Sequence, residues 1–405
     1  MARARSQVLR HRNFRLLVAG ATVGALGNAI TPIALAFAVL DLGGSATELG
    51  LVEAAFAACQ VLTTLFGGVL GDRIPRQIVM EGSALVSSLV TAGLATTVIT
   101  EIATIPSLAA LGAASGVISA LNQPSSMAMT RLVVPEEELP RAVAVRSMLR
   151  ISASTAGFAL GGILVAAVGS GWAIGVDALT YLLSAIAYAF MRVPQELTQS
   201  DASLLNDLGE GFHEVMRHDW LWFLILQALL YHLFYGGAQA VLGPIVVGDE
   251  FDRQSWGLSL ASLMSGFLIG SLVCLRWRPR RSLAAGVLLL SMTGLFPLAI
   301  ALSSTLWVVL AGAFLHGFGL QVFDVFWETA INQQVSPDKL SRVYAFDIVG
   351  SFVARPIGLA LTGPVATAVG FQSWLVVVAI VVSGSSLIAL SFGGIRNLRT
   401  PGAAM

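Results

Sequence analysis

With two cysteines in 405 residues, the chain has no disulfide framework and no cysteine-based metal site to offer. Cys59 and Cys274 both fall inside apolar runs, where a free thiol behaves as a small hydrophobe. Charge is equally scarce. Asp, Glu, Lys and Arg make up 11% of the residues and cancel to a net of zero, so there is no basic footprint for nucleic acid. No Gly-x-x-x-x-Gly-Lys loop occurs, which removes P-loop nucleotide hydrolysis as an energy source. What remains is apolar: 56% of the residues are hydrophobic and the mean hydropathy is +0.80, far outside the usage of soluble domains.

Roughly 20 apolar residues suffice for a helix to cross a bilayer, and runs of that length recur with short polar breaks. They predict spans near 15–41, 48–71, 78–100, 104–131, 141–168, 172–192, 219–247, 255–276, 282–302, 305–334, 340–369 and 372–393. The fold expected is an all-α membrane protein of about twelve transmembrane helices. The run after Arg15 is too long for a cleavable signal peptide and reads as the first of them. Arg3, Arg5, Arg10, Arg12 and Arg15 precede span one, and Arg73, Arg76, Arg276, Arg278, Arg280, Arg281, Lys339, Arg342, Arg396 and Arg399 follow even numbers of crossings. Arg253 alone lies in an odd loop. The positive-inside rule then places both termini, and the loop 193–218, in the cytoplasm of a cell whose plasma membrane holds the protein.

Self-comparison exposes an internal repeat. Val133 to Gly169 aligns with Val335 to Gly370 after one gap, so that Arg141 meets Arg342, Gly157 meets Gly358, Gly162 meets Gly363 and Gly169 meets Gly370. The loops after spans two and eight both keep Pro-Arg, at Pro75-Arg76 and Pro279-Arg280. Two halves repeated in the same topology predict two pseudo-symmetric six-helix bundles, 1–192 and 219–405, joined by a linker at 193–218. Within the linker Leu204, Leu205, Leu208, Phe212 and Val215 fall at helical spacing, which predicts an amphipathic cytoplasmic helix, or more plainly an inert tether at the membrane surface.

The segment GVLGDRIPR, from Gly68 through Asp72 and Arg73 to Arg76, resembles the signature loop of the major facilitator superfamily. Glycines allow close helix approach, Asp72 can face a helix N-terminus, and Arg73 and Arg76 can bind carboxylates. Pro75 stands where glycine is usual and Gln77 where a second basic residue is usual. Segments HRNFRLL, TPIALAFAVLDLGGSATELGL, GWAIGVDALTYLLSA and FDVFWETA further resemble the drug-efflux branch that includes enterobactin and macrolide exporters. The resemblance implies a cytoplasmic latch of this loop against span eleven, where Asp347 is the candidate partner. It also implies a central cavity lined by spans one, four, seven and ten. Gly157, Gly161 and Gly162 resemble the antiporter motif of span five, with Phe158 in place of proline. They are expected either to gate or to pack against span eight.

Ionisable groups inside spans are functional candidates. Asp324 and Glu328, four apart in span ten, share a helix face and suit proton exchange, or else pair with Arg131, Arg146 or Arg355 to hold helices together. Glu53 and Asp177 are secondary candidates near outer helix ends, where each can reach interfacial water. Arg355, mid-span in eleven, must find a carboxylate or open water, with Asp347 or Asp72 the candidate partners. The cavity candidates are Asn28 and Thr31 in span one, Asn122 and Gln123 in span four, Gln227, Tyr231, Tyr235 and Gln239 along one face of span seven, and His316, Phe323 and Trp327 in span ten. Apolar and aromatic walls with few polar groups suit an amphipathic ligand; the same aromatics also pack between helices. The function expected is a secondary transporter and no enzyme: a proton-coupled exporter of amphipathic small molecules such as drugs, antibiotics or siderophores. It works by alternating access as a monomer, with no cofactor and the proton gradient as its energy source. An importer of a small metabolite is the alternative, and a membrane sensor or channel is the rival of another class.

Overall fold

The computed structural model describes residues 8–71, 74–193, 204–277, 279–336 and 339–398; the side chains of 65–71, 123, 124, 204–208 and 341 lie outside that description. Among the described residues, twelve helices are long and apolar enough to span a membrane. Spans one to six are Arg12–Asp41, Ala46–Thr64 (the helix itself runs Ala46–Gly71), Arg76–Ile99, Ile105–Val133, Glu136–Val168 and Ser170–Ala189. Spans seven to twelve are Asp219–Glu250, Arg253–Cys274, Ser282–Leu302, Leu306–Gln334, Arg342–Val369 and Phe371–Ser391.

Three of the later spans are interrupted, each where a proline withholds an N–H. Pro244 cannot donate to the carbonyl of Ala240, and span seven passes through a π-helical turn at Ala238–Leu242. Pro297 leaves the Thr293 carbonyl without its helical donor, and span nine tightens to a 3-10 turn at Ser291–Gly294. Pro356 does the same to Phe352, and span eleven breaks between Leu340–Phe352 and Arg355–Val369.

The chain forms two compact units, Met1–Gly44 with Ala55–Asp201, and Ser45–Ala54 with Ala202–Met405. The opening turns of span two thus group with the second unit. The repeat reappears in the geometry of each. Spans five and six are joined by Gly169 (φ 87°) and spans eleven and twelve by Gly370 (φ 94°), backbone settings open to glycine and strained for other residues.

Close packing in both units rests on glycine, since between lipid-embedded helices van der Waals fit replaces the hydrophobic effect. In the first unit Gly20, Gly24 and Gly27 of span one receive Tyr188, Ser184 and the Asp177–Thr180 turn of span six. Gly157 of span five lies against the Leu26 carbonyl, and a Cβ added at Gly161 would come within 3.1 Å of the Cα of Ile30. The sequence expectation of packing on span eight is therefore corrected: these glycines seat on span one, and Gly162 is buried beside them. In the second unit Gly358 lies against the Leu233 carbonyl of span seven, the same contact at the aligned position.

The linker helix Leu204–Met216 is docked rather than an inert tether. Val215 is fully buried in a core with Leu221, Val335 and Val343. Gly211 fits under the Arg342 carbonyl, and the rings of Phe212 and Phe346 lie 5.7 Å apart. Glu214, itself buried, accepts from Lys339 at 2.7 Å and Arg217 at 3.2 Å, with His218 at 3.6 Å. The Lys339 hydrogen bond leads in holding the Glu214 carboxyl below its ordinary range. A lowered folded pKa stabilises above the unfolded glutamate pKa, and that contribution is lost as the pH falls through the folded value. Acidification should therefore release the linker helix, and Glu214→Gln should release it at neutral pH, at a cost of about 1 kcal/mol. Hydrogen exchange at 209–216 measures this; unchanged protection in the variant would refute it.

Candidate functional site

In the first unit the polar groups of span one meet span six. Asp177 is 1% exposed, so the expected access to interfacial water is absent. Its Oδ2 accepts from Thr31 and its Oδ1 from Thr180 at 3.1 Å, through the gap that Gly27 leaves. Tyr181 donates to Asn28. In span four the buried Oδ1 of Asn122 has no hydrogen-bond partner among the described residues, and the side chain of Gln123 lies outside the description. Arg146 donates to Thr130 at 2.6 Å and to the Ser126 carbonyl and hydroxyl. It ties span five to span four.

Of the expected latch, Asp72 and Arg73 lie outside the described residues, Gly68 is described only as helical backbone, and Arg76 opens span three. Gln77, noted in the sequence only as a departure, donates to the carbonyls of Tyr188 at 3.1 Å and Met191 at 2.8 Å. It caps span six, satisfying carbonyls that a helix end leaves free. An amide that caps the end of another helix carries no signature in sequence.

The second unit collects most of the remaining candidates. Along span seven, Gln227 donates to Ser386 at 3.2 Å and Tyr231 lies 2.9 Å from Nε2 of His316. Tyr235 stacks on Tyr231 and on His316, with centroids 5.0 and 4.3 Å apart. Nδ1 of His316 is 2.7 Å from the Thr293 carbonyl, the one freed by Pro297. In span ten Phe323 stacks on Trp327 at 5.9 Å, and Trp327 meets Trp220 edge-on at 5.6 Å.

Beside these rings Asp324 lies within electrostatic reach of both Asp347 and Glu328. Asp347 accepts from Trp327 Nε1 and Ser351 Oγ, each at 3.1 Å. Asp347 was expected from the sequence as a latch partner, but its described contacts are with span ten and its own helix. No ion pair joins any of the three carboxylates to a cation among the described residues. Arg355, expected to face Asp347 or Asp72, has Glu53 of the opening turns of span two as its charge partner. Gly50 beside the Leu359 carbonyl and Gly363 beside Thr47 bring those helices together.

The chain is 24% identical over 403 residues to macrolide efflux protein A of Streptococcus pyogenes, covering 95% of this chain and 97% of that one. It is also 24% identical to the multidrug efflux pump Tap of Mycobacterium tuberculosis, covering 95% and 94%. Its fold matches that of a bacterial homologue of the human lysosomal transporter Spinster, with a TM-score of 0.70, 16% identity and 99% of both chains covered. A POT family transporter matches with a TM-score of 0.75 at 12% identity, covering 94% and 96%. Residues 17–296 match the family model of the Major Facilitator Superfamily, and with twelve spans, an internal repeat and packing repeated in each unit, the chain belongs to that superfamily as a multi-pass membrane transporter rather than an enzyme.

Proposed function

We propose that the protein is a proton-coupled exporter of amphipathic small molecules, working by alternating access with both termini and the linker in the cytoplasm of a plasma-membrane protein. The observation that carries this reading is the group Asp324, Glu328 and Asp347, without a cation partner among the described residues and set against Phe323 and Trp327. Carboxylates within a span that no cation offsets are the kind of group that can carry a proton across it. The aromatic wall beside it suits an apolar ligand body. The efflux activities named for the relatives from Streptococcus and Mycobacterium support the outward direction. The driving force is the proton gradient, with no cofactor, and the monomer is the working unit. The test is efflux of a fluorescent lipophilic dye from reconstituted vesicles under an imposed pH gradient. Accumulation against the dye gradient that collapses with a protonophore supports the proposal; movement that follows only the dye's own gradient overturns the coupling.

A further inference from the structure

Four polar side chains run along one face of span seven at successive turns: Gln227, Tyr231, Tyr235 and Gln239. The first two are engaged by neighbouring helices, Gln227 with Ser386 and Tyr231 with His316. The second two are not. The Tyr235 hydroxyl is buried with no hydrogen-bond partner among the described residues, on a residue only 5% exposed. No protein partner engages the half-buried Gln239 amide there either. A buried hydroxyl without a partner costs about 1–3 kcal/mol, a cost that a ligand group or an ordered water removes.

The direction of the neighbouring hydrogen bonds says what that ligand must offer. Pro297 has no N–H for the Thr293 carbonyl, and His316 fills the gap by donating from Nδ1 at 2.7 Å. In the neutral imidazole Nε2 is then an acceptor, so Tyr231 donates its only hydroxyl proton to it. The oxygen of Tyr231 keeps free lone pairs and has no proton left to give. Beside it, in a ring stacked 5.0 Å away, Tyr235 retains a free O–H. One hydroxyl is therefore left with unused acceptor capacity and the other with an unused proton. The π-helical turn begins three residues after Tyr235 and carries Gln239, placing a widened helix segment next to the free amide.

We infer that Tyr231, Tyr235 and Gln239 form a subsite for a neutral hydroxyl of the transported molecule, which donates to Tyr231 and accepts from Tyr235. His316 and Pro297 act as positioning residues that fix the polarity of the site. The inference rests on the proposed export of amphipathic molecules and narrows it to molecules that carry alcohol groups on an apolar frame.

Tyr235→Phe keeps both ring stacks and removes only the hydroxyl. Binding of erythromycin, a hydroxyl-rich macrolide, to the purified full chain is followed by intrinsic tryptophan fluorescence, together with thermal stability. The expected result is roughly three- to tenfold weaker erythromycin binding in Tyr235→Phe and in Gln239→Leu. Thermal stability should be unchanged or raised in Tyr235→Phe, because no protein partner is lost. Tetraphenylphosphonium, which has no hydrogen-bonding group, should lose less than about twofold.

Unchanged erythromycin affinity in both variants would overturn the subsite and leave the hydroxyl to an internal water. Equal losses for both probes, or a lowered melting temperature in Tyr235→Phe, would overturn it too. Failure of the export reading looks different: the wild-type chain binds neither probe and moves no dye under a pH gradient, and the subsite falls with it.

Discussion

Replacement of Asp324 by Asn should abolish uphill efflux driven by a pH gradient while downhill exchange of the same substrate continues. The exchange needs only the shape and polarity of the cavity, which the neutral isostere keeps; uphill movement needs a group that titrates. Asp324 lies near Glu328 and Asp347, and a carboxylate inside a span is a candidate proton carrier. Removing one member changes the number of protons the group exchanges. An alternative carried by the sequence, an ion pair with Arg131, Arg146 or Arg355, would make the same substitution strand an arginine and lower the folded yield. Among the described contacts Arg146 donates to Ser126 and Thr130, and Glu53 is the carboxylate that acts on the Arg355 charge. Vesicles carrying Asp324→Asn should thus hold normal amounts of protein, exchange substrate near the wild-type rate and accumulate at least about tenfold less against a gradient. Full accumulation in the Asp324→Asn, Glu328→Gln double variant would remove this pair from coupling and direct attention to Asp347, Asp177 and Glu53.

The second large effect is expected in folding. A methyl group added at Gly157 would meet the Leu26 carbonyl, and one at Gly358 the Leu233 carbonyl, both backbone atoms that cannot rotate aside. Gly157→Ala and Gly358→Ala should each cost about 1–3 kcal/mol by overpacking, with their effects adding because they lie in separate units. Gly93→Ala and Gly384→Ala, where nothing lies within 4 Å, serve as controls and should be neutral. Thermal unfolding of the purified chain, read by loss of the monodisperse species, orders the four variants. Equal melting temperatures for Gly358→Ala and Gly384→Ala would show that the helices separate freely enough to absorb the methyl.

Much of this architecture is written locally. A bilayer demands that each spanning segment satisfy its own backbone, so apolar runs alone delimit the twelve helices, and their predicted bounds agree with the structure to within a few residues. The repeat was equally legible: the aligned pairs Gly157/Gly358 and Gly169/Gly370 occupy matching places because a carbonyl approach or a positive φ accepts only glycine. The four-residue spacing of Asp324 and Glu328, and the stripe from Gln227 to Gln239, follow from helical geometry in the same way.

Partners across helices were decided elsewhere. Arg355 had two carboxylates to choose from in its own neighbourhood and found a third, Glu53, because glycines at 50 and 363 let span two close on span eleven. Asp177 was expected near water and is buried, since Gly27 admits it against Thr31. The linker helix showed its amphipathic face in sequence but not what covers it, which is Val343, Phe346 and Lys339. Periodicity along one chain fixes which side chains share a face. Which face of another helix they meet depends on crossing geometry summed over every contact in the bundle, and that sum exists only in the folded protein.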